Sequence, residues 1–304
     1  MANILGIGGI CVDRLMIVPR IPDWDELEYI SEYTMQQGGM VATATVAAAR
    51  LGEQVEFIGG IGNDDGGRYH LEVLQAARVN TDRMRIFDGA HTAFSFVLVH
   101  EVSGKRTIIH YRGVQGKPDL GIGEIDLAGV QFLHLDGYWL EDALKTAQRA
   151  KSRGITITLD PSSKLLRDAN AADLFRLVDY FMPSYTFARR LTGETDPALA
   201  AEQLLHYGGK AVIITKGEEG CFISTRDHYE HLPAFEVPVV DTTGAGDVFH
   251  GAFVAGLSKG YDLRQAAQFA SAVAALKCTV LGGQSGIPTF QHTQAFLGER
   301  GIAF

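Results

Sequence analysis

An aspartate and two glycines at the start of one predicted helix have the spacing needed for phosphoryl-transfer chemistry. Residues 241–247 read Asp-Thr-Thr-Gly-Ala-Gly-Asp, between a presumed strand end at 235–240 and a predicted buried helix at 248–257. A Gly-Ala-Gly turn that opens a helix leaves backbone N–H groups unpaired at the positive end of the helix dipole, where phosphate binds. Asp247 would repel that phosphate unless it takes a proton from a group attacking it. The alternative is a tight turn followed by an acid that the helix dipole favours.

A second acid is placed to bind hydroxyl groups. Asp13 follows the first predicted strand and its glycines, Gly8 and Gly9. In open α/β sheets, ligands bind at the carboxyl ends of the strands, and a carboxylate there can accept hydrogen bonds from two neighbouring sugar hydroxyls. The alternative is a surface acid that caps the turn.

Strand and helix patterns alternate along most of the chain. Buried strands are predicted at residues 4–10, 55–62, 131–135, 155–159, 180–182 and 211–215. Helices are predicted at residues 41–52, 66–77, 141–152, 185–191, 197–207, 248–257 and 263–276, the last two closing the chain. Apolar strands that alternate with helices predict an α/β fold with a mostly parallel sheet covered by helices on both faces, in three α/β/α layers.

Two segments, residues 14–35 and 92–113, do not fit this alternation. Residues 94–99 and 106–111 flank a Ser-Gly turn and predict a β-hairpin, the one clear antiparallel unit in the sequence. We place both segments together as a small β lid over the strand ends of a single domain spanning residues 1–304.

Composition excludes several classes of partner. The formal net charge of −9 gives no basic surface for nucleic acid. No stretch reaches the ~18 uninterrupted apolar residues that a membrane span requires. The N-terminus has no basic region of a signal peptide, and the three cysteines are far apart without metal-ligand spacing. We therefore expect a cytoplasmic protein that acts on a small molecule.

With these motifs the chain resembles the ribokinase-type (PfkB) carbohydrate kinases from Gly8 to Pro288. Residues 241–247 match the Asp-Thr-x-Gly-Ala-Gly-Asp signature of that family, and Gly38 and Gly39 before a helix look like its N-terminal signature. The resemblance implies the ribokinase-like fold, ATP with Mg²⁺, and a sugar substrate. The catalytic residues it implies are Gly244, Ala245, Gly246 and Asp247, with Asp247 as base and the amides of the last three as an anion hole.

The resemblance also implies a set of residues around the sugar. These are Asp13, Gly38, Gly39, Thr43, His110, Arg112 and Tyr138. Many members carry asparagine where Thr43 stands, so the preferred sugar is expected to differ. The C-terminal part looks most like the sulfofructose kinases, which use asparagine and arginine against the sulfonate where His110 and Tyr138 stand here. Arg112 is the candidate for an anionic substrate group, because its guanidinium fork suits phosphate, sulfonate or carboxylate.

Two glycine-rich segments are implied at the nucleotide. The residues expected there are Thr215, Gly217, Gly220, Gly244, Gly246, Gly282 and Gly283. Asp241, Thr243 and the carbonyls of the loop at Gly282 are implied as a monovalent-cation site, so K⁺ is a further expected cofactor. Where many members carry Asn-x-x-Glu, residues 184–187 read Ser-Tyr-Thr-Phe, and no protein ligand of Mg²⁺ is implied.

The expected function is transfer of the γ-phosphate of ATP to a hydroxymethyl group of a sugar or sugar derivative. Ribose, fructose, a ketodeoxy sugar and a sulfo-sugar all remain open as substrates. A nucleoside kinase is an alternative, with Tyr111, Tyr138 and Trp139 lining a base pocket. A sugar-binding regulator that has lost catalysis is a second alternative. Exposed strand edges of the lid favour a homodimer through the lid, as in many relatives.

Overall fold

The computed structural model describes residues 2–103 and 106–303. Over these residues the chain forms nine α-helices and fourteen β-strands. The helices are α1 Met40–Arg50, α2 Asp65–Ala76, α3 Leu140–Ser152, α4 Ala171–Phe175, α5 Tyr185–Thr192, α6 Pro197–Leu205, α7 Ala245–Ser258, α8 Leu263–Cys278 and α9 Phe290–Gly298. The strands are β1 Ile4–Ile7, β2 Cys11–Val18, β3 Glu32–Gly38, β4 Val55–Ile58, β5 Gly60–Gly62, β6 Arg85–Phe87, β7 Phe94–His100, β8 Arg106–Tyr111, β9 Phe132–Leu135, β10 Thr156–Leu159, β11 Tyr180–Phe181, β12 Ala211–Thr215, β13 Cys221–Ser224 and β14 Tyr229–Leu232.

The central sheet has eight strands in the order β14-β13-β12-β11-β10-β9-β1-β4. All neighbouring pairs from β4 to β12 are parallel, and β13 and β14 are added antiparallel at one edge. Ile7 pairs with Leu135, which in turn pairs with Leu159. This register brings the residues that follow β1, β9 and β10 to one edge of the sheet, where ligands bind in such folds.

The sheet is buried on both faces, as its continuous apolar strands predict. Leu5 and Ile157 are wholly buried, and apolar side chains form one cluster on each face. One cluster includes side chains of α1, α7 and α8, and the other includes side chains of α3 to α6. Among the described residues, no helix is long and apolar enough to cross a membrane.

Helix α7, which carries the proposed catalytic residues, lies directly against α1. A Cβ atom added at Gly251 would fall 2.0 Å from the carbonyl oxygen of Ala44, so only glycine permits this approach of the two backbones. The N-terminal end of α7 is therefore positioned by close packing on α1.

A separate four-stranded sheet, which we call the lid sheet, has the order β3-β2-β7-β8. Strand β2 is antiparallel to β3 and parallel to β7, and β7 is antiparallel to β8. The predicted Ser-Gly turn between β7 and β8 includes Gly104, which lies outside the described residues. The sequence predicted the β7–β8 pair as the one clear antiparallel unit, and this was wrong. Strands β2 and β3 are antiparallel as well, and so are β12, β13 and β14.

Three predictions about individual elements were wrong. Residues 235–240 form no strand, because Pro238 cannot donate to a ladder and the Val239 side chain is exposed. The predicted strand 55–62 is divided at Gly59 into β4 and β5, and β5 pairs with β6 in a sheet of its own. The chain also continues past α8 into α9, whose first turn is capped by the hydroxyl of Thr289.

Candidate active site

The N-terminal end of α7 presents two free backbone amides to open space. Gly244 precedes the helix in the left-handed conformation, with φ of 72°. We expected the amide of Ala245 to bind an anion. It donates instead to the carbonyl of Thr242 at 3.1 Å and is therefore not available for one. The amides of Gly246 and Asp247 have no acceptor among the described residues, and a Cβ added at Gly246 would meet nothing within 4 Å. Two donors at a helix N-terminus are thus left for a ligand anion.

Asp247 lies in the same turn, and the residue as a whole is partly exposed. Burial raises its pKa well above the ordinary value, and the neighbouring Asp160 and Asp13 raise it further. Asp13, the other acid predicted from sequence, is thus one cause of the raised pKa of Asp247. A carboxylate with a raised pKa is a better proton acceptor near neutral pH.

Two more acids, which we did not predict as site residues, lie at the same sheet edge. Asp136 follows β9, and its carboxylate accepts hydrogen bonds from the amides of Gly9 at 2.8 Å and Tyr138 at 2.7 Å. Burial raises the pKa of Asp136 to about 7. Asp160 follows β10, with Oδ2 2.7 Å from Nδ1 of His250. Both acids come directly after an apolar strand, which is the same sequence signal that identified Asp13.

Asp13 lies in the lid sheet against the two glycines of the N-terminal signature. A Cβ added at Gly38 would fall 2.2 Å from Oδ2 of Asp13, and one at Gly39 would fall 2.5 Å from the carbonyl oxygen of Gly9. Gly39 also has a φ of 112°, which favours glycine. Gly38 therefore permits β3 to approach the Asp13 carboxylate, and Gly39 permits the start of α1 to approach the backbone after β1.

A row of polar side chains leads away from Asp13 across the lid sheet. Ser95 lies opposite Asp13 on β7, and its hydroxyl is 3.1 Å from Nδ1 of His110. Nε2 of His110 is 3.3 Å from Oε1 of Gln115, whose amide group donates to the carbonyl of Ile10 at 2.7 Å. His110 is thus held by partners on both ring nitrogens.

His110, Arg112 and Tyr138 line one cavity of about 590 Å³. Four further cationic side chains line the same cavity: Lys117, Lys164, Arg167 and Arg190. Asp168 is the one acid in the lining, and none of the five lysines and arginines forms an ion pair within the described part of the chain. A cavity of about 670 Å³ between α6 and the β13–β14 edge contains none of the predicted site residues.

Thr43, a candidate for the sugar site, and Trp139, a candidate for a base pocket, are both buried and do not line this cavity. Thr43 is 2 % exposed, and its hydroxyl accepts a hydrogen bond from the side-chain amide of Gln284 at 3.3 Å. In this arrangement Thr43 contacts the loop between α8 and α9, which we call the C-terminal loop, and not open space. Trp139 is 1 % exposed and packs in the core, so it cannot line a base pocket.

The residues expected at the nucleotide form two groups. Thr215 ends β12, and Gly217 and Gly220 shape the turn into β13 with φ of 57° and 91°. A Cβ at Gly220 would fall 2.1 Å from the carbonyl oxygen of Leu232, so the fold itself requires this glycine.

The second group is the C-terminal loop, which contacts both the lid sheet and the start of α7. The amide of Gly283 donates to Oε1 of Gln36 on β3 at 2.6 Å. A Cβ at Gly244 would fall 3.0 Å from the carbonyl oxygen of Gly283. The guanidinium of Arg50 on α1 donates to the carbonyl of Gln284 at 2.8 Å, which fixes the loop to the core.

The residues implied for K⁺ lie together, but the oxygen atoms of Asp241 already accept hydrogen bonds. The Asp241 carboxylate accepts hydrogen bonds from the amides of Thr243 and Gly282, each at 2.8 Å. Burial alone would raise the pKa of Asp241, yet these hydrogen bonds hold it below the ordinary value. The carbonyl of Asp241 accepts from Nζ of Lys277 at 2.9 Å. Because an ammonium is already bound to Asp241, these residues do not fit an additional K⁺ ion.

No group of three or more His, Cys, Asp or Glu side chains within residues 2–103 and 106–303 is arranged to hold a metal ion. No side chain is therefore assigned to Mg²⁺.

Comparisons with known proteins agree with this geometry. The sequence profile of the pfkB family carbohydrate kinases matches residues 1–290. The ribokinase of Haemophilus influenzae is 31% identical over 96% of this chain and 97% of its own length. The ATP-dependent ribose-1-phosphate kinase of Halopiger xanaduensis is 28% identical over 99% of both chains.

Solved structures show the same fold. The ribokinase of Thermotoga maritima superposes with a TM-score of 0.84 at 28% identity, covering 98% of this chain and 100% of the other. The ribokinase of Arabidopsis thaliana has a TM-score of 0.87 at 23% identity, covering 97% of this chain and 98% of its own, which bears on the fold alone. The predicted ribokinase-like α/β fold is thereby confirmed. The chain belongs to the pfkB family of carbohydrate kinases, phosphotransferases with an alcohol group as acceptor that use ATP with Mg²⁺.

Proposed function

We propose that this protein transfers the γ-phosphate of ATP to a hydroxymethyl group of a sugar derivative that carries an anionic group at its far end. The observation that carries the transfer step is the carboxylate of Asp247, with its raised pKa, beside the free amides at the start of α7. A base and an anion hole in one helical turn suit an alcohol that attacks a phosphate.

In this reaction Asp247 accepts the proton of the substrate hydroxyl. At the same time the oxygen of that hydroxyl forms a bond to the γ-phosphorus. The bond from that phosphorus to the oxygen of ADP breaks, and ADP leaves with the electron pair. The amides of Gly246 and Asp247 donate to the transferring phosphoryl group and stabilise its charge. Mg²⁺ bound with ATP neutralises charge on the phosphates.

The acceptor sugar lies between Asp13 and the basic cavity in this proposal. The Asp13 carboxylate accepts hydrogen bonds from sugar hydroxyls, and His110 is held beside it through Ser95. The far end of the substrate then points toward Arg112 and Lys164. Their charges act on each other, since Arg112 contributes to lowering the pKa of Lys164, after burial as the main cause.

An anionic far end is favoured because five cations share the cavity without ion-pair partners. Positive charges that line one cavity are stabilised by a bound anion. Among the four sugar types, the ketodeoxy acids and the sulfo-sugars carry such a group, whereas ribose and fructose do not. The Halopiger xanaduensis relative is likewise named for a charged sugar, ribose 1-phosphate. Assignment to the sulfofructose branch itself stays a prediction.

A substrate panel tests the proposal. ADP release would be measured with ribose, fructose, 2-keto-3-deoxygluconate, sulfofructose, ribose 1-phosphate and nucleosides. We expect a higher kcat/KM for one of the anionic sugars than for any neutral one. A neutral sugar or a nucleoside as the best substrate would refute the anionic far end but leave the kinase assignment standing. Sugar binding without any ATP turnover would instead support the regulator that has lost catalysis.

The nucleoside alternative loses one of its three aromatic residues. Trp139 lies in the core, which leaves Tyr111 and Tyr138 for a base pocket. The ring of Tyr138 already lies 4.9 Å below the ammonium of Lys164. These contacts favour a sugar over a nucleobase.

We further propose a cytoplasmic homodimer that pairs through the lid sheet and its neighbouring loop. Large apolar side chains are exposed there, among them Trp24 at 92 % and Ile109 at 59 %. Exposed apolar surface of this kind usually marks an interface. Light scattering should give twice the mass of one chain for the wild-type protein. The double variant Trp24→Ser, Ile109→Ser should give a mass closer to that of a single chain. A monomeric wild-type protein would contradict this part of the proposal.

A further inference from the structure

Lys277 is a wholly buried cation next to the proposed transfer site. It lies in the last turn of α8 and is 0 % exposed. Its Nζ atom donates to the carbonyl of Asp241, the first residue of the 241–247 segment, at 2.9 Å. Burying a charge is costly unless it is paired or hydrogen-bonded. The hydrogen bond to the Asp241 carbonyl offsets part of that cost.

Lys277 lies among groups that carry negative charge, and the oxygen atoms near it already accept hydrogen bonds from backbone amides. Burial lowers the pKa of Lys277, while Asp241, the Cys278 thiol and Asp247 act to raise it. The carbonyl of Cys278 already accepts from the amides of Val240 and Asp241, at 2.8 and 3.1 Å. The Asp241 carboxylate is engaged by amides of Thr243 and Gly282. The ammonium of Lys277 thus supplies positive charge next to the oxygen atoms of Asp241.

We propose that the ammonium of Lys277 is a built-in replacement for a monovalent cation, which makes the enzyme independent of K⁺. It binds the Asp241 carbonyl and so holds the turn 241–247 in the shape that aims the Gly246 and Asp247 amides at the phosphate. Lys277 is a positioning residue, since it acts through Asp241. For its catalytic consequence the inference depends on the proposed kinase function.

The charge of Lys277 also acts on the base. Burial and three neighbouring carboxylates raise the pKa of Asp247, and Lys277 opposes them. A fixed cation keeps Asp247 more readily ionised than the acid cluster alone would allow. A diffusible cation would give the same effect only while bound.

The test compares wild type with Lys277→Met, which keeps the length of the side chain and removes its charge. Turnover is measured with tetramethylammonium chloride as the background salt and with KCl or NH₄Cl in its place. We expect wild-type turnover to be unchanged by K⁺. Lys277→Met should lose about tenfold or more in the K⁺-free buffer and regain most of it with K⁺ or NH₄⁺.

A matched control is Lys259→Met. The ammonium of Lys259 binds Glu53 at 2.7 Å at the other end of α7. This variant should show no response to K⁺. If it gains the same response as Lys277→Met, the effect is not specific to position 277 and the proposal is wrong.

A second readout needs no substrate. K⁺ should raise the Tm of Lys277→Met relative to tetramethylammonium and leave the Tm of wild type unchanged. Wild-type turnover or Tm that rises with K⁺ would overturn the inference, even if the variant does not fold. A loss in Lys277→Met that no cation restores would also overturn it. Absence of turnover with every sugar would refute the kinase function and leave the Tm comparison to decide on Lys277.

Discussion

The two ends of the site are built in different ways. The transfer end is one continuous segment, residues 241–247, in which a turn, two free amides and the proposed base Asp247 follow one another. The acceptor end is assembled from β2, β8, the turn before α1 and the loop after β9, which are far apart in the chain. Chemistry encoded in one local segment can stay constant while the distributed end changes with the substrate.

The two ends also differ in charge. At the transfer end, burial raises the pKa of Asp247, and the negative charges of Asp160, of Asp13 in the lid sheet and of Asp136 raise it further. At the acceptor end, five cations line the cavity with a single acid. A substrate with a neutral hydroxymethyl group at one end and an anion at the other matches this polarity. Variants at each end should therefore alter different kinetic constants.

The largest effect is expected from removal of the base. Asp247→Asn leaves the free amides in place but cannot accept the proton of the attacking hydroxyl. We expect kcat to fall by roughly a thousandfold or more. The Kd of ATP, measured by isothermal titration calorimetry, should change little. Asp262→Asn is the control, since Asp262 caps α8 away from the site and asparagine also caps well. Near-normal turnover in Asp247→Asn would remove Asp247 from its role.

A variant at the acceptor end should affect substrate binding. Arg112→Met removes one of the cations that would hold the anionic group of the substrate. We expect the KM of an anionic sugar to rise about ten- to a hundredfold, with a smaller change in kcat. The exposed Arg153 at the end of α3 provides the control Arg153→Met, which should leave KM unchanged. An equal loss for neutral and anionic sugars would contradict the assignment of Arg112.

The packing of α7 on α1 links the transfer end to the core. Gly251→Ala places a methyl group 2.0 Å from the Ala44 carbonyl oxygen, so α7 must move. We expect the free energy of unfolding to fall by about 1–3 kcal/mol, with a loss of kcat beyond the loss of folded protein. Gly298→Ala on α9 meets nothing within 4 Å and should not destabilise the protein. Equal stability of both variants, from urea unfolding, would show that the approach of the two helices is not tight.

The smallest effect is expected on the pH profile. Asp247 must be ionised to accept a proton, so activity falls as pH drops through its raised pKa. After burial, Asp160 is the largest cause of that rise. Asp160→Asn removes a negative charge, lowers the pKa of Asp247 and should move the acid limb of kcat to lower pH. A limb that stays in place or moves to higher pH would argue against Asp247 as the titrating group.

Sequence reasoning identified the transfer end readily because its residues are adjacent. The glycines and Asp247 could be interpreted together as one turn, and the fold followed from the alternation of strands and helices. What the sequence did not reveal is which amides are already bonded. The hydrogen bond from Ala245 to Thr242 depends on the path of the turn, which residue types alone do not determine.

The acceptor end was predicted less completely, for a physical reason. Lys164 and Arg167 follow β10, whereas Arg190 lies on α5 after β11, and isolated basic residues after a strand are common on surfaces. Their convergence depends on the strand order, which the sequence pattern does not specify. Asp136 and Asp160 could have been predicted from the sequence, because each directly follows a buried strand and Asp13 comes shortly after one.

The most direct measurement is the position of the new phosphate on the product. Wild type and Asp247→Asn would be incubated with ATP and the best sugar of the panel, and the product analysed by phosphorus and carbon NMR. We expect a phosphate monoester on the hydroxymethyl carbon with wild type and almost none with the variant. Product formed at equal rates by both proteins, or phosphate attached at the anionic end, would contradict it.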